Sequence, residues 1–154
     1  GASGFTDLGA INEDGITETR DRSTDSVTIW QNAAKAREVV TESSFTVAFT
    51  MVETKKETVE LFYGGTVNTT EGSIVVVPAN TGGRKSFVID VVDGSRIKRI
   101  YIPQGEITEV GDVVYQNGDP VGYEVTINAY YGTYLTAAAQ FTGSAKIWYS
   151  DLKS

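Results

Sequence analysis

Apolar and polar residues alternate with a period of two along much of the chain, the pattern of half-buried β-strands. Phe45, Val47, Phe49 and Met51 share one face, with Thr46, Ala48 and Thr50 opposite. Phe87, Ile89 and Val91 repeat the pattern, as do Lys98, Ile100 and Ile102, and then Tyr123, Val125, Ile127, Ala129 and Tyr131. Turn formers divide these runs: Asn12-Glu13-Asp14-Gly15, Gln31-Asn32-Ala33-Ala34, Asn80-Thr81-Gly82-Gly83, Asp93-Gly94, Asn117-Gly118 and Gly143. The two sharpest are Asp93-Gly94 and Asn117-Gly118, because a type I′ hairpin needs two residues that tolerate positive φ. Together these signals predict strands near 16–20, 26–30, 37–52, 73–77, 85–92, 96–102, 108–115, 121–131, 134–141 and 145–149. Many short strands with regular turns point to a sandwich or barrel. The run 37–52 exceeds the usual strand length of about 5–6 residues. It is expected to bend or to project past its neighbours.

One segment breaks the rhythm. Thr54 followed by Glu57 reads as a capping box, in which hydroxyl and carboxylate each satisfy an orphan backbone donor. Val59, Phe62 and Tyr63 then fall on one helical face, and Gly64-Gly65 stops the turn. The prediction is one short helix over about 54–63. It is too short to persist alone in water and so must pack on a sheet. Lys55 and Lys56 sit in its first turn, where the macrodipole disfavours positive charge by up to about 1 kcal/mol each. Pairing Lys56 with Glu60 recovers only about 0.2–0.5 kcal/mol. Two readings stand: the lysines are simply solvated, or they meet an acidic surface on another subunit.

Composition narrows the chemistry. The 154 residues, 40% hydrophobic and 21% charged, suit one domain with a substantial core. Cysteine and histidine are both absent, so there is no thiolate nucleophile, Ser-His-Asp triad, imidazole base or Cys/His zinc site. Only carboxylates, Lys, Tyr, Ser and Thr remain, and no cofactor is implied. A net charge of -7 disfavours a general nucleic-acid binder, which needs a basic face to displace phosphate counterions. No apolar run approaches the roughly 18–20 residues of a membrane span.

The acidic pairs Glu13/Asp14, Glu106/Glu109 and Asp90/Asp93 are weak candidates for glycosidase carboxylates or calcium ligands. A glycosidase needs two carboxyls across a cleft, and a calcium loop needs closely alternating oxygen ligands. Turn and surface roles account for these pairs more simply. Gly64-Gly65 and Gly82-Gly83 lack the lysine and hydroxyl residue of a phosphate-binding loop. Trp30, Trp148 and the tyrosines are enough for a sugar-stacking platform, though such residues more often fill a β core or an interface.

The order of segments resembles the major tail (tail tube) proteins of long-tailed bacteriophages, especially those infecting actinobacteria. The likeness begins at Gly4-Phe5-Thr6-Asp7-Leu8-Gly9 and Asn12-Glu13-Asp14-Gly15-Ile16-Thr17-Glu18. It continues through 25–31, which includes Trp30, Val40-Thr41-Glu42-Ser43, and 53–64. Val91-Val92-Asp93-Gly94, Thr108-Glu109-Val110-Gly111-Asp112-Val113 and Gly122-Tyr123-Glu124-Val125-Thr126 follow, so it spans about residues 4–131.

The resemblance implies a mainly β, tail-tube-like sandwich or partly closed barrel with one flanking helix. It implies a structural virion protein, not an enzyme, made in the host bacterial cytoplasm and built into the tail. Hexameric rings of copies would stack into the conduit for double-stranded DNA, with the tape measure, tail terminator and distal tail proteins as further partners and no membrane insertion. Family members carry an N-terminal arm ahead of the Phe5 region, so the expectation for 1–154 is a single tail-tube domain without that arm. Candidate lumen acids, chosen on or beside the longest strands, are Glu38, Glu42, Glu106, Glu109 and Asp112. Candidate subunit contacts are Lys55, Lys56, Phe62, Tyr63 and Trp30. The alternative is a secreted or cell-surface β-sandwich that binds carbohydrate or protein through Trp30, Trp148 or tyrosines.

Overall fold

The computed structural model describes residues 4–28, 36–119, 121–135 and 140–153. Its elements are β1 (Ile11–Thr28), β2 (Ala36–Met51), α1 (Lys56–Tyr63), β3 (Val67–Asn68), β4 (Ser73–Ile74), β5 (Lys85–Asp93) and β6 (Arg96–Val110). Then come β7 (Tyr123–Ala129), β8 (Gly132–Leu135), β9 (Gln140–Gly143), β10 (Lys146–Tyr149) and a 3-10 turn at Ser150–Leu152. The expected mainly β, sandwich-like fold with one short helix is what the chain adopts, and no barrel closes among the described residues.

The main sheet runs β1-β2-β7-β6-β10, with β5 also paired to β6, and every pairing is antiparallel. Strand β6 serves two layers. Its residues 96–105 pair with β5, 98–101 with β10, and 105–110 with β7. The sequence shows no break there, but the buried positions change phase: Ile100 and Ile102 face the core, then Pro103, Gly105 and Ile107. The β5–β6 register slips at the same point. Proline is tolerated at such a bulge because no ladder donor is required of it, and Ser86 Oγ donates to the Pro103 carbonyl at 2.8 Å.

One ion pair shows how far the layers fold over each other. Along the ladder Glu18 is level with Val47, Ile127 and Ile107, nine residues along β6 from Lys98. In a flat sheet that offset alone is about 30 Å, at about 3.3 Å per residue. Lys98 Nζ nevertheless lies 2.5 Å from Glu18 Oε1. The layer β1-β2-β7-β6 therefore wraps over the layer β5-β6-β10. Between them lie Val47, Phe49, Met51, Phe87, Ile89, Ile100, Ile102, Ile107, Val125 and Ile127, all buried.

The helix begins later than the capping box predicts. Lys55 is its N-cap and makes no side-chain cap bond. The Thr54 hydroxyl instead shares a hydrogen bond with Tyr123 OH at 3.1 Å. The buried helical face is Thr58, Leu61 and Phe62, one position away from the expected Val59, Phe62 and Tyr63. The Thr58 hydroxyl explains the rotation, since it donates to the Leu8 carbonyl at 3.2 Å and anchors the N-terminal segment across the helix. Gly64 stops the helix as expected, with φ 77° and its N–H on the Glu60 carbonyl at 2.8 Å. A side chain there would also meet the Asn80 carbonyl oxygen at 2.3 Å.

Other boundaries move for local reasons. Asn12-Glu13-Asp14-Gly15 is a register slip inside β1, not a turn, so the predicted strands 16–20 and 26–30 belong to one long strand as far as Thr28. The β5–β6 loop is Gly94 and Ser95, with only Gly94 at positive φ, so the two-residue positive-φ turn at Asp93-Gly94 is shifted by one. The predicted strand 134–141 divides between β8 and β9, which pair with each other. Of the predicted strand 73–77, only Ser73 and Ile74 pair, with β3. The predicted turn at 31–34 lies outside the described residues.

Candidate functional site

Two surfaces follow from this architecture. The first is the outward face of the β1-β2-β7-β6 layer. Since Val47, Phe49, Val125 and Ile127 point into the core, their strand neighbours face out. The ladder aligns them in rows: Thr17, Ala48, Thr126 and Glu109, then Thr19, Thr46, Asn128 and Glu106. Thr50 and Glu124 form the next pair. Those positions carry hydroxyl, amide, methyl and carboxylate groups, and no lysine or arginine.

Of the acids expected there, Glu109 is exposed. Glu106 is half-buried and engaged: the Tyr130 hydroxyl donates to Oε1 and the Thr81 hydroxyl to Oε2, each at 2.5 Å. The Thr81 bond first, then the Tyr130 bond, holds its carboxyl below the ordinary range. Arg84 stacks over the Tyr130 ring at 3.8 Å and adds its charge to the same node. Asp112 is exposed just beyond β6. Glu42 and Glu38 lie on β2 opposite Ser23 and Ser26, their side chains outside the described residues. Glu124 was not among the predicted acids, although the alternation of Tyr123, Val125 and Ile127 already places it on the polar face.

The second surface is a set of unpaired strand edges. Strand β7 pairs with β2 over 45–51, so among the described residues 36–44 have β1 alone as partner. Residues 21–28 and 36–44 thus form a two-stranded ribbon, an arrangement marginal in water without further support. Strands β8 and β9 form another two-stranded unit outside the main sheet.

The predicted contact residues fare unevenly. Lys55 is tied within its own chain, 3.4 Å from the Asp7 carbonyl and 3.8 Å from Glu53 Oε2. Lys56 is exposed, and Glu60 accepts from the Val67 N–H at 3.2 Å rather than pairing with it. Phe62 is only 8% exposed and packs edge-on against Tyr63 and Tyr123, so it offers no surface to a neighbour. Tyr63 is half-buried, and its hydroxyl is pushed up, first by burial and then by the nearby Tyr115 and Tyr123. Trp30 lies outside the described residues. Trp148 and Tyr149 alternate on β10 and so face opposite sides, which gives no joint stacking platform.

Among the described residues, no group of three or more acidic side chains could hold a metal ion, and no helix is long and apolar enough to cross a membrane. None of the curated proteins matches the chain. A family model described as phage tail tube protein matches residues 1–148. With that match and a mainly β sandwich built around unpaired edges, the chain belongs to the phage tail tube protein family, self-assembling structural components of the virion tail.

Proposed function

We propose that copies of this chain close into hexameric rings, that the rings stack into the tail tube, and that the outward face of the β1-β2-β7-β6 layer lines the conduit for the genome. The observation that carries this reading is the chemistry of that face. Double-stranded DNA carries about one negative charge per 1.7 Å of axis, so a lysine-lined wall would hold it by many phosphate contacts. Threonines, Asn128, Glu109 and Glu124 offer none, and Arg84 at the margin is already engaged by Tyr130 and Glu106. Glu38 and Glu42, further along β2, are the remaining candidates for lumen acids in this proposal.

A ring needs a head-to-tail contact between two different patches of one chain. The 21–28/36–44 ribbon, with Lys56 and Tyr63 at the two ends of the helix, supplies contacts toward neighbouring copies. The tape measure, tail terminator and distal tail proteins are the tube's further partners in this reading. Electron microscopy of concentrated protein across a range of salt tests the reading. Rings or tubes with six-fold symmetry are expected; a chain that stays monomeric under every condition contradicts it.

A further inference from the structure

Copies carrying a net charge of -7 repel one another, so they come together most readily where the surface carries no charge. Two such stretches meet at one point here, through Glu106. Residues 72–83 contain no charged side chain, and neither do residues 125–145. Within the first, Val75, Val76 and Val77 are 77%, 54% and 52% exposed. They follow β4 in the run Ile74-Val75-Val76-Val77, a β-prone sequence that would be apolar on both faces of a strand. Among the described residues neither Val75 nor Val76 makes a backbone hydrogen bond, and Val77 accepts only from Asn80, at 2.9 Å.

Within the second stretch, β8 and β9 pair only with each other among the described residues, and Tyr131 and Leu135 are 76% and 78% exposed. The strands contain no lysine, proline or inward charge, the usual devices that keep an edge from pairing. Glu106 fastens the two stretches together, accepting from Thr81 of the first and Tyr130 of the second.

We propose that Val75, Val76 and Val77, with the uncharged β8 and β9 strands across the Glu106–Arg84 node, are a docking surface for a second copy of this chain, which pairs with the valine backbone. The proposal rests on the tube reading above and names where copies meet. An exposed apolar strand run is otherwise an aggregation hazard, and a neighbouring copy removes that hazard.

Amide hydrogen exchange on the full chain, free and assembled, tests it directly. The amides of Val75, Val76 and Val77 exchange at near-unprotected rates in the monomer and are slowed at least tenfold in the assembly. Exchange that stays at the monomer rate inside well-formed tubes overturns the docking surface and leaves the tube reading intact. Failure to assemble under any condition overturns both. As a second measurement, Val76→Lys and Leu135→Lys keep the monomer's circular dichroism and Tm, because both positions are exposed. Each raises the concentration needed for assembly about tenfold or more, and an unchanged threshold for both also overturns the proposal.

Discussion

The 21–28/36–44 ribbon and the β8–β9 hairpin are both two-stranded stretches with no third strand beside them, yet their chemistry is opposite. The ribbon's sequence carries Asp21, Arg22, Asp25, Arg37, Glu38 and Glu42, whereas the hairpin carries no charge at all. A charged, polar ribbon weakly specifies its own register and resists wrong pairing. A neutral edge accepts any strand of suitable shape. In the proposed assembly the two divide the labour: the ribbon supplies directionality between copies, and the hairpin with the valines supplies adhesion. Both differ from the inner half of β2, which has a strand on each side and an alternating buried face.

The largest expected effect separates body from periphery. Ile127 is fully buried on β7, beside the inner half of β2. Ile127→Ala should cost about 2–5 kcal/mol in chemical denaturation. Leu135→Ala, at an exposed hairpin position, should stay within about 0.5 kcal/mol. A comparable loss at both sites would mean that the hairpin is part of the core, and the contrast would break.

Next in size is Gly105→Ala, where β6 passes between the layers. An added methyl would meet Ile127 Cγ2 at 2.8 Å and the Phe87 ring at 2.8 Å. Overpacking of that kind costs about 1–3 kcal/mol, measurable as a lowered Tm. An unaffected Tm would show that the crossing relaxes freely and that the two layers are not rigidly joined there.

A smaller effect comes from the interlayer ion pair. The bond to Glu18 raises the Lys98 pKa, partly offset by desolvation. A raised lysine pKa contributes stability that is fully present below the unfolded value and is lost as pH climbs through the folded one. Wild type should therefore lose about 0–1 kcal/mol at strongly alkaline pH relative to Lys98→Met. Identical alkaline profiles for the two proteins would remove the pair from the account.

Salt gives the gentlest test of the contrast itself. Screening shortens from about 10 Å at 0.1 M to about 3 Å at 1 M. If neutral surfaces provide adhesion, added salt weakens the repulsion between copies and favours assembly in light scattering. If the charged ribbon provides it, assembly falls instead.

Much of this arrangement is legible in the chain because period-two alternation directly marks which residues a sheet buries. The runs at 45–51 and 123–129 needed nothing else, whereas in the run at 87–91 Phe87 and Ile89 are buried but Val91, expected on the same face, is 39% exposed near the end of β5. The β6 crossing was not legible, since the phase change at Pro103 depends on two layers that only the tertiary structure brings together. The capping box failed for a similar reason: Tyr123, far along the chain, takes the Thr54 hydroxyl. The sequence predicts one strand over 134–141 because no strong turn former stands between Leu135 and Gln140. Among the candidate acids, sequence position gave the strand but not the partners. Glu106 looked like a free wall carboxylate until Thr81 and Tyr130 were found on it.

In the proposed tube, the Thr-rich outward face of the β1-β2-β7-β6 layer is the wall of the conduit. A cryo-electron microscopy reconstruction of the assembled tube, resolved to side chains, tests it most directly. The account predicts Thr46, Thr50, Thr126, Glu109 and Glu124 facing the lumen, with the β5-β6-β10 layer outside. A lumen lined instead by Asp90, Arg99 and Trp148 of the β5-β6-β10 layer would contradict it.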